Sequence, residues 1–193
     1  PFAPLDEAVS RWIERLDTED LTGLFRATFV HTTDGWKATE LVLSELIRRR
    51  DAGAQLEVVE AFWDACKYYD AGHRFMEDYI HDQLCVDFFP RFEVEPLVEL
   101  LSTAGSYMLH AGGGDEMGEL FVPAFEKLDE PNDELFDALR EFGMTYANEG
   151  YGEEYHAEAQ AWVERAIPVS QDAVAARLRQ LADELASAYE ARL

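Results

Sequence analysis

Lysine is nearly missing from this chain of 193 residues: only Lys37, Lys67 and Lys127 stand beside 13 arginines. Those 16 basic side chains face 40 acidic ones, a formal net charge of −24. The sequence therefore has no basic track along which phosphates could be followed, which argues against a nucleic-acid binder, and its sign opposes docking on anionic membrane surfaces. Cysteine is scarce too. Cys66 and Cys85 make no disulfide framework and no C-x-x-C pair, so reduced thiols of a cytoplasm are expected. There is no run of 18 apolar residues and no basic leader before an apolar stretch, so a soluble, non-exported chain is expected. Runs alternating between apolar and polar residues with β-branched enrichment are also lacking, which excludes a sheet-based fold.

Catalytic signatures are missing as well. Neither G-x-G-x-x-G nor G-x-x-x-x-G-K-[ST] occurs, and no G-x-S-x-G supplies a nucleophile. The glycine run Gly112-Gly113-Gly114 precedes Asp115 and Glu116, whose charge would repel a phosphate. It reads as a helix–helix turn with Asp115 as the cap of the next helix. No catalytic residue and no cofactor-binding residue is assigned, and a non-enzyme is expected.

The residues that are present are enough to fold. Apolar residues make up 48% of the chain and aromatics 12%, enough to bury a core despite the charge. Replacing Lys by Asp and Glu trades exposed methylenes for groups that hold water and cations tightly. At the ~3 Å Debye length of molar salt, the self-repulsion of such a surface is largely screened. The composition is that of a halophilic cytoplasm.

Helical periodicity runs almost throughout. In the last segment Val174, Leu178, Leu181, Leu185 and Tyr189 fall at offsets 0, 4, 7, 11 and 15, one apolar stripe on a helix of about five turns. Asp17 with Asp20, and Asp34, are candidate helix starts, and Arg48–Arg50 suit the negative end of a helix dipole. Ten helices are predicted, at about 5–16, 17–31, 36–50, 54–70, 73–89, 94–110, 115–128, 132–148, 153–166 and 171–192. Loops of two to six residues make neighbours antiparallel, so the chain reads as a single all-α domain over 1–193 of about five helical hairpins.

A repeat is visible within it. Small residues Ala27, Cys66, Gly105 and Gly143 are separated by 39, 39 and 38 positions. Three residues after each comes Val30, Tyr69, Met108 or Tyr146, and a turn glycine comes after each at Gly35, Gly72, Gly112 and Gly150. A small residue lets a neighbouring helix approach, the bulky one fills the groove, and glycine ends the helix. The segment Phe142-Gly143-x-x-Tyr146-x-x-x-Gly150-Tyr151, followed by Ala159-x-x-x-Val163-x-x-Ala166, resembles a tetratricopeptide repeat with about three residues added at its turn. That resemblance implies a superhelical stack that holds a peptide or protein in its concave face, without catalysis. An up-and-down helical bundle is the competing arrangement.

One constellation could hold a metal. His73, Glu77, His81 and Cys85 recur every four positions, with Asp70 just before them, and Glu153 lies three residues ahead of His156. A carboxylate three residues before a histidine is what carboxylate-bridged di-iron bundles use. Asp70, His73, Glu77, His81, Glu153 and His156 are therefore candidate ligands for iron or another transition metal, in an alternative reading as a metal-binding bundle or oxidoreductase. Against it, 40 acids in 193 residues place an acid at that offset by chance for about one histidine in five. A spacing of four also drifts by about 40° per step around a helix.

Aromatic residues crowd the stretch from Phe62 to Phe92 on too many faces for one seam. Some are expected to anchor a partner, with Trp63, Tyr68, Tyr69 and Tyr79 as the candidates, and the rest to be core. The leading expectation is thus a protein-interaction module or adaptor that takes a protein or peptide partner, or a second copy of itself, with a carboxylate rim selecting basic or weakly charged partners. A cytosolic chaperone for another enzyme is a third reading of an acidic all-α chain of this length.

Overall fold

The computed structural model describes residues 3–29, 36–68, 81–111, 114–148 and 153–191. Among them the only regular structure is helical, so the all-α class expected from the periodicity holds. The chain divides into two compact units, one of residues 1–70 with 91–96 and one of 71–90 with 97–193.

The first unit contains α1 (Ala3–Ile13), α2 (Thr18–Phe29), α3 (Trp36–Arg49) and α4 (Ala52–Tyr68). Helix α2 packs on α3 and α4, and α1 on α3. Leu21 and Phe25 on α2, Val42, Leu43 and Leu46 on α3, and Val58, Val59 and Phe62 on α4 are all fully buried. These spacings of one, three and four residues put each set on one helix face. Two aspartates start helices as their side chains allow. Asp17 Oδ1 accepts the Asp20 N–H at 2.9 Å, and Asp51 Oδ1 accepts the Ala54 N–H at 3.1 Å. The other Asp51 oxygen accepts from the Thr18 hydroxyl at 3.1 Å, tying the start of α2 to the start of α4. Between α3 and α4, Arg50 turns the chain with a left-handed φ of 55°. Gln55, fully buried, donates to the Leu46 carbonyl at 3.4 Å and accepts the Glu93 N–H at 2.7 Å. That docks residues 91–96 on the α3–α4 corner, where Arg50 also grips the Glu93 carboxylate.

A π-helical segment, His81–Phe88, in the second unit leads through a 3₁₀ turn, Phe89–Arg91, into residues 91–96 of the first. Helix α5 (Val94–Ala111) comes next, then α6 (Gly114–Glu119), α7 (Phe121–Glu126), α8 (Asp133–Asn148), α9 (Glu153–Ala166) and α10 (Asp172–Glu190). The helix expected over 115–128 is broken at Leu120 because Pro123 has no N–H to give to the carbonyl four residues back, and its ring would strike that carbonyl. The break leaves the proline in the first turn of α7, where it is tolerated. Helices α8, α9 and α10 pack on one another, and α9 also meets α6 and α7. Their core is aromatic. Phe125 and Phe136 are 4.9 Å apart, Phe121 and Phe142 6.0 Å, and Phe142 and Trp162 5.2 Å, centroid to centroid, at tilted angles favoured by ring quadrupoles. The expected α10 stripe is buried at Val174, Leu178, Leu181 and Leu185, and half-buried at Tyr189.

The small residues of the repeat differ in their surroundings. A Cβ on Gly143 would sit 2.9 Å from Leu185 Cδ2 and 3.5 Å from Ala159 Cβ, so this glycine does bring helices together, more tightly against α10 than against α9. Ala27 is exposed. Cys66 and Gly105 lie outside the described side chains.

Candidate interaction surface

Helix α1 is set on the first unit by its own buried residue and by a charged staple. Ile13 is 2% exposed. Arg49 on α3 donates to the Glu14 carbonyl at 3.2 Å, one of the carbonyls a helix end leaves unpaired. Arg49 is itself aimed by Glu45, a carboxylate with only 5% of its side chain exposed. Glu45 accepts from Arg48 Nε and Nη2 at 2.7 and 2.6 Å and from Arg49 Nε at 2.7 Å. The forked contact with Arg48 is the main cause that holds the Glu45 carboxyl below the ordinary range; burial opposes it and Arg49 adds to it. The arginines expected to serve the helix dipole thus act chiefly through side-chain pairing with Glu45 and Glu93.

Held this way, α1 turns Ala8, Arg11 and Trp12 outward; these three, and Arg15 in the turn that follows the helix, are exposed. At 100° per residue Ala8 and Arg11 fall on the side of α1 away from Ile13, and Trp12, about 100° round from Ile13, borders that side. Trp12 is 52% exposed, and with Val86 and Val169 it makes up the exposed large apolar side chains among the described residues. Arg11 reaches only Glu7, at 3.4 Å and in full view of solvent. Arg15 forms no ion pair among the described residues.

The residues singled out from the sequence fall elsewhere. Trp63 is 5% exposed and meets Phe62 edge-on at 5.0 Å, so its ring lies in the core. Phe62, Phe88, Phe89 and Phe92 are likewise buried. Asp70, His73, Glu77, Tyr69 and Tyr79 lie outside the described residues. His81 lies on the π-helical segment, Tyr68 on α4, and Glu153 and His156 on α9, with side chains outside the described ones. Among the described residues no group of three His, Cys, Asp or Glu side chains is placed to hold a metal ion. Cys85, 3% exposed, has its Sγ 3.8 Å from Met117 Sδ, a packing contact of two polarizable sulfurs.

Trp12 escaped the sequence reading although a signal was there. Val9, Ile13 and Leu16 keep to the helical stripe, and Trp12 falls at its edge, about 100° round from Ile13, next to Arg11 in a chain poor in basic residues. No described helix is long and apolar enough to cross a membrane. Comparison of the chain with protein-family models, with curated proteins and with solved structures gives no match.

Proposed function

We propose that this chain is a protein-interaction module of a salt-rich cytoplasm, an adaptor that works by binding and not by catalysis, its helices arranged in tetratricopeptide-like hairpins. The observation that carries the reading is Trp12. A tryptophan left 52% exposed between arginines combines two of the residue types most enriched at binding hot spots, and the sequence supplies no nucleophile or phosphate motif to compete with it. Affinity capture from a native lysate in molar KCl tests the reading. A protein partner should co-purify in a fixed ratio. Capture of no protein, together with retained iron, would replace this reading with the metal-binding bundle.

The habitat makes a separate prediction. Carrying −24 charges, the fold should be weakened by self-repulsion in dilute buffer and relieved of it as the Debye length falls from about 10 Å at 0.1 M to about 3 Å at 1 M. A thermal melt should therefore rise steadily from 0.1 M to 3 M KCl. A melting temperature that stays flat or falls over that range rules out the halophilic assignment.

A further inference from the structure

Helix α1 differs from the other helices of the first unit in how it is held. We propose that α1 is a self-blocking latch: it opens from α3 while α2–α4 stay folded, and the seat it leaves accepts an amphipathic helix of α1's own pattern from a partner protein. The partner rests on the module reading; the opening of α1 does not.

Three observations support it. Among the described side chains of α1, Ile13 alone is fully buried, while Val9 and Ser10 are half-buried and Glu7, Ala8, Arg11 and Trp12 are exposed. By contrast α2 buries Leu21, Thr22 and Phe25, and α3 buries Val42, Leu43 and Leu46. With 11 residues, α1 is also shorter than the roughly 12–15 at which a helix is marginally stable alone in water. It is therefore helical because α3 holds it, and it unravels when released.

The chain after α1 is anchored without it. Asp17 Oδ1 accepts the Asp20 N–H at 2.9 Å, the Asp17 carbonyl accepts the Leu21 N–H at 3.0 Å, and Thr18 donates to Asp51 at the start of α4 at 3.1 Å. None of these bonds uses a group of α1, so Glu14, Arg15 and Leu16 form a joint between a loosely held helix and a firmly held one. Elements with few buried side chains open at lower free energy than the core they lie on.

What α1 uncovers is specific. Ile13 vacates its buried seat, and beside it Arg49 loses the Glu14 carbonyl that it holds at 3.2 Å. Every helix leaves carbonyls unpaired at its C-terminal end, so an apolar seat next to a guanidinium aimed by Glu45 fits the last turn of an amphipathic helix and sets its direction. Tethered by a short joint, α1 competes for that seat at an effective concentration on the order of millimolar. A partner helix therefore binds only as far as α1 yields.

The test uses the full chain in 2 M KCl. Hydrogen exchange followed by mass spectrometry should show α1 amides exchanging at least about a hundredfold faster than those of α2–α4, and Glu45→Ala should speed α1 about tenfold further. A fluorescent synthetic peptide of residues 3–16 should bind Ile13→Asp at least about tenfold more tightly than wild type, because the latch of the variant is open. The same peptide carrying Ile13→Asp should bind neither protein. If Ile13→Asp loses the exchange protection of α2–α4, Ile13→Ala takes its place with the same order expected. Exchange of α1 at the rate of α2–α4, or wild-type peptide that binds both proteins equally or neither, overturns the latch. If these arms succeed but wild type and Ile13→Asp both capture no protein from a native lysate, the module reading falls and the partner with it, while the latch stands. Wild-type dimers that are absent in Ile13→Asp would assign the seat to α1 of a second copy and overturn the assignment to a partner protein.

Discussion

Gly118→Ala is expected to lower the unfolding free energy by about 3 kcal/mol or more. Gly118 lies on α6 under the indole of Trp162, and a Cβ added there would overlap three atoms of that ring's six-membered half. Trp162 is 3% exposed and is held by Phe142 at 5.2 Å, so the ring cannot swing aside, and α6 must move away from α9 instead. Overpacking of a well-filled core typically costs about 1–3 kcal/mol, and a rigid ring places this case at the upper end. Gly143→Ala is the informative contrast. There the new atom meets the end of the Leu185 side chain at 2.9 Å, which a small rotamer shift can relieve, so about 1 kcal/mol is expected. Urea titrations of both variants, monitored by circular dichroism, provide the comparison. In a double-mutant cycle Trp162→Leu, costly by itself, should cancel most of the additional loss caused by Gly118→Ala, because the overlapping atoms are gone. Additive losses would show that the ring is not what the glycine accommodates.

Replacing Glu45 by Ala is expected to cost about 2 kcal/mol and to loosen α1. The substitution leaves Arg49, 21% exposed, without its carboxylate, and the guanidinium that donates to the Glu14 carbonyl loses its aim. Removing one partner of a fully buried pair costs about 3–5 kcal/mol. Here Arg48 is 65% exposed, so water recovers part of the loss. The pH dependence has a definite sign. Because the folded protein holds the Glu45 carboxyl below its ordinary value, its contribution is complete above the unfolded pKa of about 4.3 and is lost as pH falls through the lower folded value. The stability difference between wild type and Glu45→Gln should therefore be constant from pH 7 to about pH 5 and shrink below it. Denaturant titrations from pH 3 to 7 measure this, and a difference independent of pH throughout would remove Glu45 from the staple.

Much of the local structure was legible because it depends on neighbours in sequence. The Asp17 cap, the start of α8 at Asn132, whose Oδ1 accepts the Leu135 N–H at 3.0 Å, and the apolar stripe of α10 all arise from spacings of three and four residues. Where expectation and structure part, the deciding partner is distant. Ala27 and Gly143 occupy equivalent places in the apparent repeat, yet one faces water and the other faces Leu185, 42 positions along the chain. Trp63 looked like an anchor because one helix could not hide every aromatic of its stretch, but α4 is covered by other helices. The break at Leu120 has a local signal in the sequence, Pro123.

By itself the sequence determined the helical class, the positions of most helices and the chemistry of the surface, since periodicity, caps and the scarcity of lysine act within a turn or through the solvent. Only the tertiary structure decided which residues those surfaces expose. Burial is a property of what lies opposite, and a carboxylate such as Glu45 or a glycine such as Gly118 acquires its role from Arg49 or Trp162, not from its own neighbours. The same reason exposes Trp12: it borders the apolar stripe of α1 in sequence and is left outside when Ile13 is buried and the helix packs on α3.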